Sequence, residues 1–411
     1  MLKKIRVEDL RLGMHIKEFC GSWMEHPFWR EDFLLTDDDD LLRVRRSSVR
    51  EVWIDVAKGL DAVPDVVTET VEHAEAGVGE TLRGAEQAVT EDPPAHRQTT
   101  RSEELRRAAR ICAQSRQAVV SMFQEVRMGR AIDVKAAAAV AEEISSSVAR
   151  NPGALISLAR LKSADDYTYM HSVAVCALMT ALAHQLELDA TATREAAMAG
   201  LLHDLGKALT PPEILNKPGK LTDEEFAVMK QHPVDGHRLL LEKGAVGEIP
   251  LDVCRHHHEK MDGSGYPDRL PGDRISLFAK MGAVCDVYDA ITSNRPYKPG
   301  WDPAESIRRM AEWSRGHFDE TVFQAFVKSI GIYPVGSLVR LESGRLGVVV
   351  EQASKSLLTP QVKVFFSTRS QTYLKPEIVD LARPGVRDKI AGREDAAKWG
   401  IKDFDSYWAA P

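Results

Sequence analysis

The spacing of apolar side chains changes character three times along this 411-residue chain. Residues 1–62 carry short apolar-alternating runs between turns: IRVEDL, then Arg11-Leu12-Gly13-Met14, then VREVWIDV at 49–56, where Val49, Trp53 and Ile54 are interspersed with charge. This pattern predicts a small α/β or β-rich module. From 63 to 100 the periodicity fades into Glu, Ala, Thr, Gly and the pair Pro93-Pro94, which reads as a linker with some helical content. Apolar residues then recur every three or four positions over Arg101–Met128 and Ile132–Ala149, predicting connecting helices within 101–150. The block 151–331 continues as helices broken at Asn151-Pro152-Gly153, Pro211-Pro212, Lys217-Pro218-Gly219 and Gly263-Ser264-Gly265-Tyr266-Pro267. Thr222-Asp223-Glu224-Glu225 has the capping-box pattern and should open a helix that carries Met229 toward His232. After Tyr333-Pro334-Val335-Gly336 the period becomes two, through SLVRL, a Ser343-Gly344 turn, LGVVVE and QVKVFF, so 332–386 reads as a small β unit and 387–411 as a charged tail. The expected fold is mainly α.

Composition narrows the function. A net charge of −7 excludes a coat for a nucleic-acid polymer or an anionic membrane surface, so an anionic ligand must meet a local cationic site. At 44% hydrophobic and 28% charged residues the chain is an ordinary globular one of two or three folded units. Five scattered cysteines without a Cys-x-x-Cys pair point to a reducing cytosol, without disulfides and without a thiolate zinc site. The opening MLKKIRVEDLRLGM lacks the apolar core of a secretory signal, and the longest strongly apolar run, Val173–Ala183, is too short for a membrane span. A cytoplasmic location is expected.

Eight of the 13 histidines fall between positions 171 and 258. The run Ala196–Leu202 ends in His203-Asp204-Leu205-Gly206-Lys207; on a helix end, His203 and Lys207, and Asp204 and Lys207, share a face, so an imidazole, a carboxylate and an ammonium converge. Such a trio suits a metal beside a phosphate. Taken alone it also fits a capped helix end with a surface ion pair. Further donors change the balance: His171 leading an apolar helix, His232 before Pro233, His257-His258-Glu259 before the glycine loop, and Asp286 in Val284–Ala290. Any one of these is ordinarily a satisfied core residue, but buried imidazoles and carboxylates in this number need a common partner.

In order, His171, HDLGK (203–207), His232, HHE (257–259), DGSGYP (262–267) and DVYDAITSNRPY (286–297) resemble the HD-GYP family, metal-dependent phosphohydrolases of the HD superfamily that hydrolyse bacterial cyclic di-GMP. The resemblance covers about residues 150–330 and implies a helical HD-type catalytic bundle. It implies His171, His203, Asp204, His232, His257, His258 and Asp286 as metal ligands, with Asp204 bridging; Lys207 assisting hydrolysis; Gly265, Tyr266 and Pro267 as the loop beside the site; and Arg295 and Lys298 holding phosphate. Some members carry a Glu four residues before the first ligand, associated with a third metal; Tyr167 stands there, so two divalent ions are expected. Mixed His/Asp ligation suits iron or manganese, with zinc, nickel and cobalt left open. The implied reaction is in-line hydrolysis with the 3′ oxygen leaving, to linear pGpG or, if the cut is repeated, GMP. A homodimer and a diguanylate-cyclase partner also follow by family analogy.

Two other readings stay open: a cyclic di-GMP sensor or interaction module with little activity, and an HD phosphohydrolase acting on another cyclic nucleotide. His256 is left out of the ligand set because consecutive helical residues point about 100° apart. His184 and His237 read as structural, Asp37–Asp40 as a helix start, and Arg45-Arg46 and Arg106-Arg107 as solvated faces. The first 60 or so residues, with LRLGMHI, HPFW and VREVWIDV, resemble the uncharacterised domain that often precedes this catalytic domain.

Overall fold

A computed structural model describes residues 1–21, 26–28, 32–63, 66–87, 101–160, 167–219, 221–243, 246–294, 300–353, 356–402 and 404–409. Pro93-Pro94 of the expected linker lies outside them. The chain divides into two compact units, Met1–Arg83 with Arg308–His317, and Gly84–Ile307 with Phe318–Pro411.

The first unit is built on an antiparallel sheet of β1 (Leu2–Arg6), β2 (His15–Phe19), β3 (Phe33–Leu34), β4 (Glu51–Asp55) and β5 (Glu69–Thr70), in spatial order β3-β2-β4-β1-β5. The register of β1 on β4 runs from Leu2↔Asp55 to Arg6↔Glu51. Ile5, Leu10, Met14, Ile16, Phe19, Val52 and Ile54 form its core with Val44 of α1 (Asp38–Arg46). The four acids at 37–40 do start this helix, Asp37 accepting a hydrogen bond from the Asp39 N–H. Arg45 is more than a solvated charge, since it donates to the Leu10 carbonyl at 2.9 Å. Helix α2 (Val71–Gln87) follows, within the stretch expected as linker.

The second unit contains the helices α3 (Arg101–Arg127), α4 (Val134–Arg150), α5 (Pro152–Arg160), α6 (Tyr167–Gln185), α7 (Ala190–Leu202), the short α8 (Pro212–Leu215), α9 (Asp223–Met229), α10 (His232–Lys243), α11 (Glu248–His256), α12 (Leu277–Thr292), α13 (Pro303–His317) and α14 (Glu320–Ile330). Arg308–His317 of α13 belongs to the first unit, where Glu312 accepts from the Trp53 indole at 2.9 Å and Arg309 pairs with Glu18. Local chemistry places the ends: Asp133, Asp189 and Ser276 cap α4, α7 and α12, and Thr222 and Glu225 form the reciprocal capping box at α9 that the sequence predicts. Helix α6 is apolar all round because it is buried all round, Met170 to Ala183 lying inside a ring of helices. None of the described helices is long and apolar enough to cross a membrane.

A second antiparallel sheet, ordered β10-β6-β7-β8-β9, combines β6 (Leu338–Leu341), β7 (Arg345–Glu351), β8 (Gln361–Ser367), β9 (Thr372–Asp380) and β10 (Ile390–Arg393). It joins the helices through Asp302, whose carboxylate caps α13 and also accepts from the Leu338 N–H at 3.2 Å. The reading of 387–411 as a tail is corrected: β10 pairs with β6, and Trp408 of α15 (Ser406–Ala409) is fully buried against Leu338, Val348 and Phe365. Its charged composition hid one edge strand and one aromatic anchor.

Candidate metal centre

Five elements bring the polar donors together. α6 supplies His171, the end of α7 supplies His203 and Asp204, α10 opens on His232, His257 and His258 follow α11, and α12 supplies Asp286. All are buried except His258, which is partly so. The donor atoms fall into two groups, Asp204, His232, His257 and His258 in one and His171, His203 and Asp286 in the other, each within 4.8 Å internally.

Asp204 faces both groups. Its Oδ2 lies 3.4 Å from Nε2 of both His171 and His203, while Oδ1 lies 3.2 Å from Nε2 of His232 and 3.8 Å from that of His257. The rings are oriented from behind: Nδ1 of His203, His232 and His257 bonds the carbonyls of Gly200, Met229 and Val253, and Nδ1 of His171 bonds Asp289 at 2.6 Å. Those bonds need the proton on Nδ1, so a neutral ring turns its Nε2 lone pair inward. The Nε2 atoms then crowd one another: that of His203 is 3.3 Å from that of His171, and the lone pair of His232 faces that of His257 across 3.4 Å. Asp204 Oδ1 and Asp286 Oδ2 find no hydrogen bond among the described residues. Such an arrangement is unfavourable by itself and is satisfied by cations, and the outward bonds are those of oriented metal ligands.

The electrostatics agree. Burial lowers the pKa of His232, helped by the Lys207 ammonium, and takes His257 to about 3, helped by His203; burial and His257 lower His258 as well. Burial opposes charge on the carboxylates, yet Lys207 and His203 hold Asp204 ionised, and His171 holds Asp286 ionised. At His171 burial is outweighed by Asp286 and Asp289, which raise its pKa. Neutral rings at His232, His257 and His258 beside ionised carboxylates are protonation states a metal needs, whereas His171, whose Nε2 lies 2.9 Å from Asp286 Oδ1, must give up a proton to bind one. The donors are nitrogen and carboxylate oxygen, without sulfur, which fits borderline divalent ions.

Lys207, on the turn after Asp204, pairs with Asp204 Oδ2 at 2.5 Å. That turn packs under α10 because Gly206 has no side chain: a Cβ there would stand 1.9 Å from the His232 carbonyl oxygen. Gly265 has a similar reason, since its Cβ would meet the Glu259 Cα at 2.4 Å. The close approach lets Tyr266 stack on His258, ring centres 4.6 Å apart, ahead of a cis Tyr266–Pro267 bond. Arg295 and Lys298 lie outside the described residues. His184, His237 and His256 stand outside both groups; His256 bridges Asp252 and Asp268 instead.

Two positions that the sequence reading quoted within its motifs, Asp289 and Glu259, received no role there. Asp289 holds His171, and its place three residues after Asp286 on one helix face was a usable signal. Glu259, buried behind the histidines, accepts from the N–H groups of Asp268 and Leu270 and so shapes the Gly-Tyr-Pro loop.

Comparison with known proteins meets this geometry. Residues 2–137 match the family described as "Domain of unknown function (DUF3391)", a span that includes the first sheet, α2 and α3, and residues 143–322 match "HD domain". A Pseudomonas aeruginosa protein named "Cyclic di-GMP phosphodiesterase PA4108" is 56% identical over 409 residues, covering 99% of this chain and 96% of that protein. Two Vibrio cholerae proteins match over shorter spans: a "Cyclic di-GMP phosphodiesterase", 44% identical over 31% of this chain and 27% of its own length, and "3'3'-cGAMP-specific phosphodiesterase 1", 37% identical over 40% and 38%. The chain belongs to the HD-GYP family of HD-domain proteins, in the form that carries a DUF3391 domain ahead of the HD domain.

Proposed function

We propose that this chain hydrolyses cyclic di-GMP with two divalent metal ions, iron or manganese, held within residues 151–331. The observation that carries the reading is Asp204, whose two oxygens are divided between two groups of inward-facing donors. On this reading His171, His203 and Asp286 hold one ion, His232, His257 and His258 the other, and Asp204 bridges. Bound there, the ions supply Lewis acidity toward a phosphoryl oxygen and lower the pKa of water. The chain's own residues do the rest. Asp289 and the three backbone carbonyls keep the rings aimed. Lys207 Nζ keeps Asp204 ionised and has further N–H donors for a phosphoryl oxygen or for the departing 3′ oxygen. The loop Gly265-Tyr266-Pro267 covers His258 and forms a wall against which the nucleotide lies. Arg295 and Lys298 belong to the proposal through family resemblance. The product is pGpG, with GMP from a second cut.

The experiment is metal analysis of protein purified without oxygen, with turnover of cyclic di-GMP and 3′3′-cGAMP followed on the same sample. About two ions per chain and conversion of cyclic di-GMP to pGpG are expected, with His203→Ala plus Asp204→Ala abolishing turnover. Undiminished turnover by the double variant sinks the reading. Tight binding without product over hours assigns a sensor instead, and faster turnover of 3′3′-cGAMP changes the substrate.

A further inference from the structure

We propose that Lys230 binds the substrate, holding the phosphate of the cyclic dinucleotide that is not being cut; the inference rests on the cyclic-dinucleotide reading of the site. Lys230 ends α9, its N–H bonded to the Phe226 carbonyl at 2.9 Å, and stands two residues before His232. It is half-buried. Its Nζ lies 5.0 Å from the centre of the Phe226 ring and 5.9 Å from that of Tyr266. Tyr266 in turn stacks on His258 of the metal centre, so this ammonium is one aromatic ring removed from the candidate ligands.

The partners of Lys230 differ from those of its neighbours. Lys207 is paired with Asp204, Lys217 with Glu225 at 2.5 Å, and Arg255 with Asp268 at 2.6 Å, whereas no described carboxylate pairs with Lys230 Nζ. Aromatic faces attract a cation but leave its N–H donors unused. A lysine after a Phe four residues back at a helix C-terminus is ordinary helix chemistry and explains the contact with Phe226. It does not explain Tyr266, which comes from a separate loop. A cyclic dinucleotide carries two phosphodiester charges. A single metal centre clamps one of them, and the second needs cationic partners of its own; family resemblance assigns phosphate to Arg295 and Lys298, and Lys230 is an addition to them. A compact ammonium point charge suits a phosphate oxygen.

The test uses the full manganese-loaded chain as wild type, Lys230→Met and Lys230→Arg. Kinetic constants are measured for cyclic di-GMP and for bis(p-nitrophenyl) phosphate, a diester with a single phosphate, and cyclic di-AMP is titrated as a competing inhibitor. The Met variant is expected to raise KM for cyclic di-GMP and the inhibition constant of cyclic di-AMP by about tenfold each, with a much smaller effect on the single-phosphate diester. The Arg variant restores most of the loss. An unchanged KM, or an equal loss on the single-phosphate diester, overturns the proposal. So does a loss seen with cyclic di-GMP alone, which assigns Lys230 to a base. Wild-type protein that cuts the simple diester but neither cuts nor is inhibited by any cyclic dinucleotide overturns the functional reading itself, and Lys230 with it.

Discussion

Asp289 carries no donor atom in either ligand group, yet the orientation of one metal-facing ring depends on it. One carboxylate oxygen takes the His171 Nδ1 proton at 2.6 Å and the other lies 3.3 Å from the Ser293 hydroxyl, all of it buried. Asp289→Asn keeps the size and removes the charge that raises the basicity of the ring. Metal affinity should fall by about 10- to 100-fold, read by competitive metal titration; an unchanged affinity means that His171 is oriented by other contacts. His256 makes the opposite case, a histidine in the midst of the motif that serves structure. It sits between Asp252 at 2.7 Å and Asp268 at 3.0 Å, and although burial disfavours its charge, those carboxylates raise its pKa. A raised folded pKa means that the stabilisation is complete below the unfolded value of about 6.5 and is lost as pH rises through the folded value. The melting temperature of wild type should therefore exceed that of His256→Gln by more at pH 6 than at pH 9. A gap that stays constant with pH removes His256 from the charge network. The sequence separated His256 from its neighbours by helix geometry alone, because three consecutive helical residues cannot all face one centre. It passed over Asp289 because that reading sought donors and not the groups that aim them.

At the level of elements, the polar spacing of the sequence was legible where local chemistry decides and illegible where neighbours decide. The capping box at Thr222 and Glu225, and the switch to period two after Gly336, are local patterns and appear where the chain placed them. Strand β9 contains Pro376 and is exposed along most of its length, so it lacks the alternation that marks a half-buried strand. Strand β10 is four residues inside a charged stretch and exists through its pairing with β6. The contact of the HDLGK turn with α10 is likewise tertiary. Gly206 lies so close to the His232 carbonyl and to Gly236 that a methyl group forces the two apart. Because His203 and Asp204 lie on one side of that contact and His232 on the other, Gly206→Ala should both destabilise the fold, by about 1–3 kcal/mol, and reduce the metal held per chain. Denaturant unfolding and metal analysis of one preparation check this. Loss of stability with full metal content means that the turn and the helix move together and that the ligands tolerate the shift.

For the whole molecule, the two units divide the chemistry unequally. Every residue of the candidate centre lies in Gly84–Ile307, and the first unit contributes none of them. A net charge of −7 is compatible with an anionic substrate because the positive field is local, from Lys207, Lys230 and the cations that the donor groups are built to take. Cations bound there would also hold the architecture together. Without them, Asp204 and Asp286 leave buried oxygens without a hydrogen bond among the described residues, and imidazole Nε2 atoms crowd one another where five elements meet. Chelation should therefore loosen the helices that carry the ligands, and a metal present at 100 times its Kd contributes about 2.7 kcal/mol to the folded state. Amide hydrogen exchange read peptide by peptide localises the effect. On adding a chelator, exchange should rise by about 100-fold at most in the peptides of α6 and α12, which bear His171 and Asp286. Strand β4, with Trp53 in the core sheet of the first unit, should keep its rate. An equal rise in both would mean that the two units unfold as one cooperative body, and no rise in either would mean that the donor cluster is stable without metal and that its lone pairs are satisfied by protons.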